Sequence, residues 1–379
     1  MTSCASIVSA MNQSSLATRL GEYISLILPA AHGHQQKGIC DFVLALLSVR
    51  TCRQAGLARF FDNFEAASKR LFRLLHNSRL DTDALARSHA SALMRRLPAE
   101  GRVRLMLDWT SEDSQHLLVA SLNVGRRAVP LYWRAYDEAE LQKRMSRYER
   151  EFVRTLFADL LSEMARRRFV VTADRWFADA DLLDLLDDLG VSYVIRTKAN
   201  YHVRIEGRWR RLDSLRWVKN QRRRAWGRVW YGEGDPRHVF LAQARARDKH
   251  GRWGIWHLLS NRNLSAYTMA QEYARRFTCE EGFRDAKRLL GFAEARISCL
   301  KAWTRMFTLV ALALAVLTKL GCALVSHAQR DGWLRRVRSR RAARSELSMV
   351  GSVVALLIGH ENFWQLLDHR GKFDLEAGL

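Results

Sequence analysis

The stretch Phe169-Val-Val-Thr-Ala-Asp174 decides the fold. Its apolar and small residues form the short run expected of a buried strand, and the run ends on a carboxylate. Upstream, Arg102-Val-Arg-Leu-Met-Leu107 alternates in character and also leads into an acid, Asp108. His116 to Val124 and Ala128 to Tyr136 are β-compatible runs separated by the Gly125-Arg126-Arg127 turn, and Glu138 to Arg168 reads as one long charged helix. Downstream, Ala180 to Leu189 is amphipathic, Gly190 stops it, and Val191 to Thr197 is another strand. Three strands, a helix and a strand, then further alternation, predict a mixed α/β sheet. Both aspartates fall at strand ends, where side chains of adjacent strands can converge.

Outward from this core the texture changes. Residues 15 to about 100 read as helical, with Asn63 as the N-cap of a helix from Phe64 to His76. That helix carries Lys69, Arg70 and Arg73, which fits either a helix-turn-helix-like DNA reader or a bundle with a solvated basic face. Residues 200–262 are rich in Trp and Arg and read as a β-rich insertion. Helical periodicity returns from Ser265 to Leu290 and continues to the end. The expected units are therefore 1–100, helical and DNA-binding; 101–199, the first part of the core; 200–262, the insertion; 263–325, the last core helices; and 326–379, a helical C-terminal region.

Lys and Arg number 62 against 39 Asp and Glu, a formal net charge of +23, which favours a polyanionic partner. The six cysteines show no CxxC pairing and read as reduced thiols of a cytosolic chain. No basic-then-apolar signal peptide is apparent. Met306 to Val325 is long and apolar enough to span a membrane but, with no second candidate, is expected to be a buried core helix. No Walker A loop, GxSxG elbow, HExxH or zinc-type spacing is present.

The densest local pattern runs from Tyr273 through Arg276 and Glu280 to Lys287. At about 100° per residue these four share a stripe only about 60° wide on one helix. A carboxylate flanked by phosphate donors suits phosphodiester chemistry, and a surface ladder of ion pairs would have the same spacing. Each acid has a neighbouring rival. Asp113 lies beyond the strand end, Asp179 sits at a helix start, and Glu281 points about 100° from Glu280. The first member of each pair is preferred.

The spacing Y-x2-R-x3-E-x6-K resembles the signature of bacterial DDE transposases of the group named for insertion sequence four. Leu105-Met-Leu-Asp108-Trp-Thr and Val170-Val-Thr-Ala-Asp174-Arg-Trp-Phe are similar to that family's two aspartate strands, and Ile255-Trp256-His-Leu-Leu-Ser to the strand before its signature helix. The resemblance covers about Arg102 to Arg296. It implies a ribonuclease-H-like core with a β-strand insertion, an N-terminal helical DNA-binding domain and a helical C-terminal region. It further implies two Mg²⁺ ions, replaceable by Mn²⁺, held by Asp108, Asp174 and Glu280 as catalytic and metal-binding residues. Tyr273, Arg276 and Lys287 would grip phosphates, and Trp256 would stack on a base flipped from the duplex; a Trp anchoring the sheet is the other reading of that position. The expected activity is cut-and-paste cleavage of transposon ends and strand transfer. The partners would be double-stranded terminal repeats, target DNA and a second copy of the chain, in the bacterial cytoplasm at the nucleoid. A catalytically inactive DNA-binding descendant of the fold is the alternative.

Between Gly207 and Trp230 nine basic residues, including Arg210, Arg222, Arg223 and Arg224, face one acid, with four tryptophans interleaved. Such a surface suits phosphate tracking, or is a solvated basic face. Arg335 to Arg344 is a further basic cluster that either contacts DNA or flanks a core helix.

Overall fold

The computed structural model describes residues 10–29, 31–98, 100–124, 127–217, 221–247, 252–325, 333, 349–359 and 363–368. The Arg335–Arg344 cluster, Gly125 and Arg126 lie outside them.

Among the described residues ten strands form one sheet. β1 (Val103–Glu112), β2 (Gln115–Val124) and β3 (Arg127–Asp137) form an antiparallel meander. β4 (Phe169–Ala173) and β5 (Ser192–Thr197) then add in parallel beside β1. β1 is longer than expected. It continues past Asp108, so that residue lies mid-strand, because Trp109 packs on Tyr136 and Thr110 is buried opposite Leu117.

The segment read as one helix from Glu138 to Arg168 is interrupted instead. α6 (Glu138–Leu141) is followed by Lys143 in the left-handed region, and α7 (Met145–Arg154) passes into a π-wound turn, Thr155–Asp159, before the short α8 (Glu163–Arg166). Gln142, Lys143 and Arg144 offer no apolar face to hold a turn of helix against the sheet. α9 (Ala180–Asp188) ends at Gly190, which takes the positive φ needed to turn the chain into β5.

Residues 200–262 extend the same sheet. β6 (His202–Ile205), β7 (Arg208–Arg211), β8 (Arg223–Tyr231), β9 (Arg237–Arg247) and β10 (Trp253–Ser260) give the order β3-β2-β1-β4-β5-β10-β9-β8-β6-β7. β10 pairs antiparallel with β5 through His257–Ser260, which joins the two halves.

Strand alternation divides the sheet into two faces. Val103, Leu105 and Leu107 of β1, Phe169, Val171 and Ala173 of β4, and Tyr193 and Ile195 of β5 enter one large core. That core also takes in residues of α1 (Ala10–Ile27), α2 (Gly33–Val49), α4 (Phe64–His76), α5 (Thr82–Met94), α7, α9 and α12 (Leu300–Val325). The N-terminal helices thus share a core with the sheet: His89 of α5 packs on Trp133 of β3, and Tyr132 of β3 bonds Asp83. The apolar α12 is long enough to cross a membrane, but it is nearly all buried within the protein. Its buried Arg305 donates to the carbonyls of Leu75 and Leu80, closing the turn between α4 and α5. The opposite face carries Val170, Val194 and Leu258 under α10 (Ala266–Ala274), and Met106 and Ala128 under α11 (Phe277–Arg284).

Asn63 does cap α4, accepting from the Ala66 amide, whereas the helix before it, α3 (Gln54–Ala58), has only five residues. α4 buries Ala67, Leu71, Leu74 and Leu75 and leaves Lys69, Arg70 and Arg73 exposed.

The end of the signature segment docks on the N-terminal helices. Gly291 has φ +71°, and a Cβ there would lie 2.9 Å from Thr51 Cα and 3.2 Å from Arg50 O. Beside it the Cys52 thiol donates to Leu290 O at 3.2 Å. Gly291→Ala is therefore expected to lower stability by about 1–3 kcal/mol in urea denaturation, through strain at a left-handed position. An unchanged midpoint would show that this contact yields without cost.

Candidate active site

The alternation that sends Leu107 and Ala173 into the large core sends their successors to the other face. Leu107 and Ala173 are register partners on parallel strands, so Asp108 and Asp174 follow side by side on the α10/α11 face. Asp174 closes a turn there, its Oδ1 accepting from the Trp176 amide at 2.8 Å. α11 crosses the same face because Cys279 and Gly282 pack closely on it: a Cβ on Gly282 would meet Ala128 O at 3.3 Å.

Arg276 joins the third acid to the first. Its Nη1 donates to Asp108 Oδ2 at 2.7 Å and its Nη2 to Glu280 Oε1 at 2.6 Å. The Arg276 side chain is 8% exposed and Asp108 15%, while Glu280 is half open at 51%. Burial pushes the Asp108 carboxyl up to about 6; Arg276 opposes this, and Asp174 and Glu280 add to it. Burial disfavours the Arg276 cation, but Tyr273, Asp108, Glu280 and Asp174 hold it well above the ordinary range. The three acids and one guanidinium therefore form a single electrostatic unit.

The signature residues do not lie on one straight helix. Around Arg275 and Arg276 the backbone tightens to i→i+3 bonds, with the Arg276 amide on Tyr273 O and the Cys279 amide on Arg276 O, and Asp285–Leu289 widens into a π turn. The one-stripe reading is corrected accordingly. Tyr273 is buried against the edge of Trp256, with ring centroids 4.9 Å apart, and its hydroxyl is held above the ordinary range chiefly by burial. Lys287 donates to Ser111 O at 2.7 Å and pairs with Glu112 at 2.7 Å, both on β1 beyond Asp108. Trp256 is half-buried and also faces Phe277 at 5.7 Å. The rival acids go elsewhere. Glu281 pairs with Arg127, Asp179 with Arg150, and Asp113 sits exposed in the β1–β2 turn.

Three carboxylates of this kind match the hard oxygen ligands that Mg²⁺ and Mn²⁺ prefer. Among the described residues no group of three His, Cys, Asp or Glu is set to hold a metal, and the Arg276 guanidinium lies between Asp108 and Glu280. The donors fit a divalent ion in kind, and the guanidinium places a positive charge between two of them.

The basic residues of the insertion lie mostly outward. Arg210, Arg222 and Arg223 are exposed; Arg224 lies over the Trp226 ring at 3.6 Å, and Arg223 over Tyr267 at 4.7 Å. Lys69 and Arg73 project from α4, while Arg70 is paired with Asp41.

Sequence reasoning missed the support beneath this site. Trp109, next to Asp108, donates through Nε1 to buried Glu149 Oε1 at 2.7 Å. In a helix read as uniformly charged, Glu149 carries no signal that marks it as buried. Burial, with Asp179 and Asp174 adding repulsion, pushes its carboxyl from an ordinary 4.5 up to about 8. A folded-state pKa above the unfolded one gives stability that is complete below about 4.5 and is lost as pH rises through about 8. Relative to Glu149→Gln, the unsubstituted chain should lose on the order of 1 kcal/mol per pH unit across that window, read by urea denaturation at several pH values. Parallel stability curves for the two proteins within the window would refute this.

Residues 148–316, less than half of the chain, match the family described as Transposase DDE domain. The matched segment contains Asp174, Tyr273, Arg276, Glu280 and Lys287; Asp108 precedes it. No curated protein matches the chain. With a mixed α/β sheet of the kind a ribonuclease-H-like DDE domain requires, this match supports a DDE transposase acting on DNA.

Proposed function

We propose that the chain is a cut-and-paste DNA transposase of the insertion-sequence-four group, with Asp108, Asp174 and Glu280 as its catalytic carboxylates. The observation that carries this reading is the Arg276 guanidinium bonded to Asp108 and Glu280 on the face that Asp174 shares. Two divalent ions held by these acids would neutralise the scissile phosphodiester and activate the attacking oxygen. The chain's own residues prepare the site. Strand pairing fixes two acids side by side, α11 brings the third, and Arg276 balances their charge while DNA is absent. A phosphate entering the site offers Arg276 another acceptor, since guanidinium pairs with phosphate as it does with carboxylate. Water or a DNA 3′-hydroxyl can both attack in line at one such centre, which accounts for cleavage and strand transfer by the same residues. Tyr273 and Lys287 support the site's shape in this state, and Lys287 at the open end of β1 is the nearer to an incoming backbone. Terminal inverted repeats, target DNA and a second copy of the chain are the proposed partners.

The second reading, an inactive DNA-binding descendant, is favoured by the same Arg276 bridge if it persists on DNA. Incubating the full chain with the inverted repeats that flank its own gene, with Mg²⁺ or Mn²⁺, separates the two. The transposase reading expects 3′-hydroxyl ends and joined products. Asp108→Ala, Asp174→Ala and Glu280→Ala should each keep DNA binding and lose cleavage by more than about 100-fold, beyond what changes outside a ligand shell usually cost. Cleavage at the unsubstituted rate by any one of them removes that residue from the assignment. Binding without any cleavage or metal uptake establishes the inactive reading.

The exposed arginines make a separate prediction about salt. If about six phosphates are neutralised, log affinity should fall against log salt with a slope near −5. Replacing Arg222 and Arg223 by Ala should reduce that slope by about 2. An unaltered slope would place the DNA on another face.

A further inference from the structure

The loop after β4 holds Phe177 in the core and turns its neighbour outward: Trp176 is 60% exposed, the highest of the exposed large hydrophobics in the described residues. It is no chance surface tryptophan in its surroundings. Its amide is tied to the Asp174 carboxylate at 2.8 Å, so the ring stands two residues from a catalytic acid, at most about 7 Å along the backbone. Lys198, just past the end of β5, places its ammonium 3.8 Å from the ring centroid. Lys198 makes no ion pair among the described residues, so the aromatic ring is the contact seen for its charge. Arg175 is exposed beside it.

We infer that Trp176 and Lys198 form a stacking platform for an unpaired nucleobase at the DNA end being processed. This rests on the nucleic-acid reading above and deepens it. Lys198 covers one face of the indole, which leaves the rest of the ring to solvent. A nucleobase supplies a flat partner for the open face, and its phosphate supplies the counter-charge for Lys198 and Arg175. A duplex interior offers the phosphates but no free base face, because its bases are already stacked. The site therefore selects a frayed, flipped or single-stranded nucleotide. It is distinct from Trp256, whose ring is partly occupied by Tyr273 and Phe277.

The test compares binding of the full chain to a blunt duplex and to the same duplex bearing a short single-stranded thymidine tail with one 2-aminopurine. The unsubstituted chain is expected to prefer the tailed duplex and to quench the 2-aminopurine. Trp176→Ala should cut the preference by roughly fivefold or more and abolish quenching, while Trp176→Phe should keep much of both. Trp176→Ala should also unfold at the unsubstituted temperature, since its ring is exposed. A preference that survives Trp176→Ala, or that disappears only in Trp256→Ala, overturns the inference while leaving the DNA reading intact. Failure of the unsubstituted chain to bind either duplex overturns both.

Discussion

Two nearly buried groups, Arg276 and Asp108, hold opposite charges 2.7 Å apart, and the face that carries Asp108, Asp174 and Glu280 is organised around that contact. Removing charge from water is costly, and it is offset here only because the guanidinium reaches a second carboxylate, Glu280, with its other nitrogen. The backbone around Arg276 is wound tightly, which separates α10 from α11 and lets each helix pack on its own part of the sheet. Position, charge and helix break are thus one arrangement rather than three.

Beneath it lies the period of two. The same alternation that fills the large core with Leu105, Leu107, Val171 and Ala173 directs Asp108 toward α11. Shifting β1 by one residue would bury Asp108 among leucines, at a cost several times that of an ordinary core change. On the opposite side Trp109 follows the alternation down to Glu149, so the strand is gripped from both faces beside the acid.

Much of this was legible in the sequence. The strand around Phe169–Ala173, the Asn63 cap and the Gly190 stop are local signals, and local signals survive folding. The place of Asp108 and Asp174 after apolar runs and the spacing around Glu280 pointed to three acids that the structure brings to one face. What was not legible depended on partners far away in the chain. Asp108 appeared to end its strand because nothing local shows Trp109 packing on Tyr136. Arg276 and Tyr273 looked like solvent-facing phosphate donors, and it takes the break between the two helices to bury them. Nor does the sequence mark Trp176 as exposed, since a tryptophan just past a buried strand is as readily drawn into the core, as its neighbour Phe177 is.

The junction of β5 with β10 has a mechanical consequence. Because the insertion strands continue the sheet of β1 to β5 through hydrogen-bonded pairs, they cannot swing as a hinged arm without tearing that ladder. If DNA lay along the arginines of β7 and β8 and also reached Asp108, as the proposed function has it, any adjustment would fall to the DNA rather than to the insertion, by bending or by melting at its tip. Sequences at the recognised ends that kink or open easily would then be favoured through their flexibility, at positions no side chain touches.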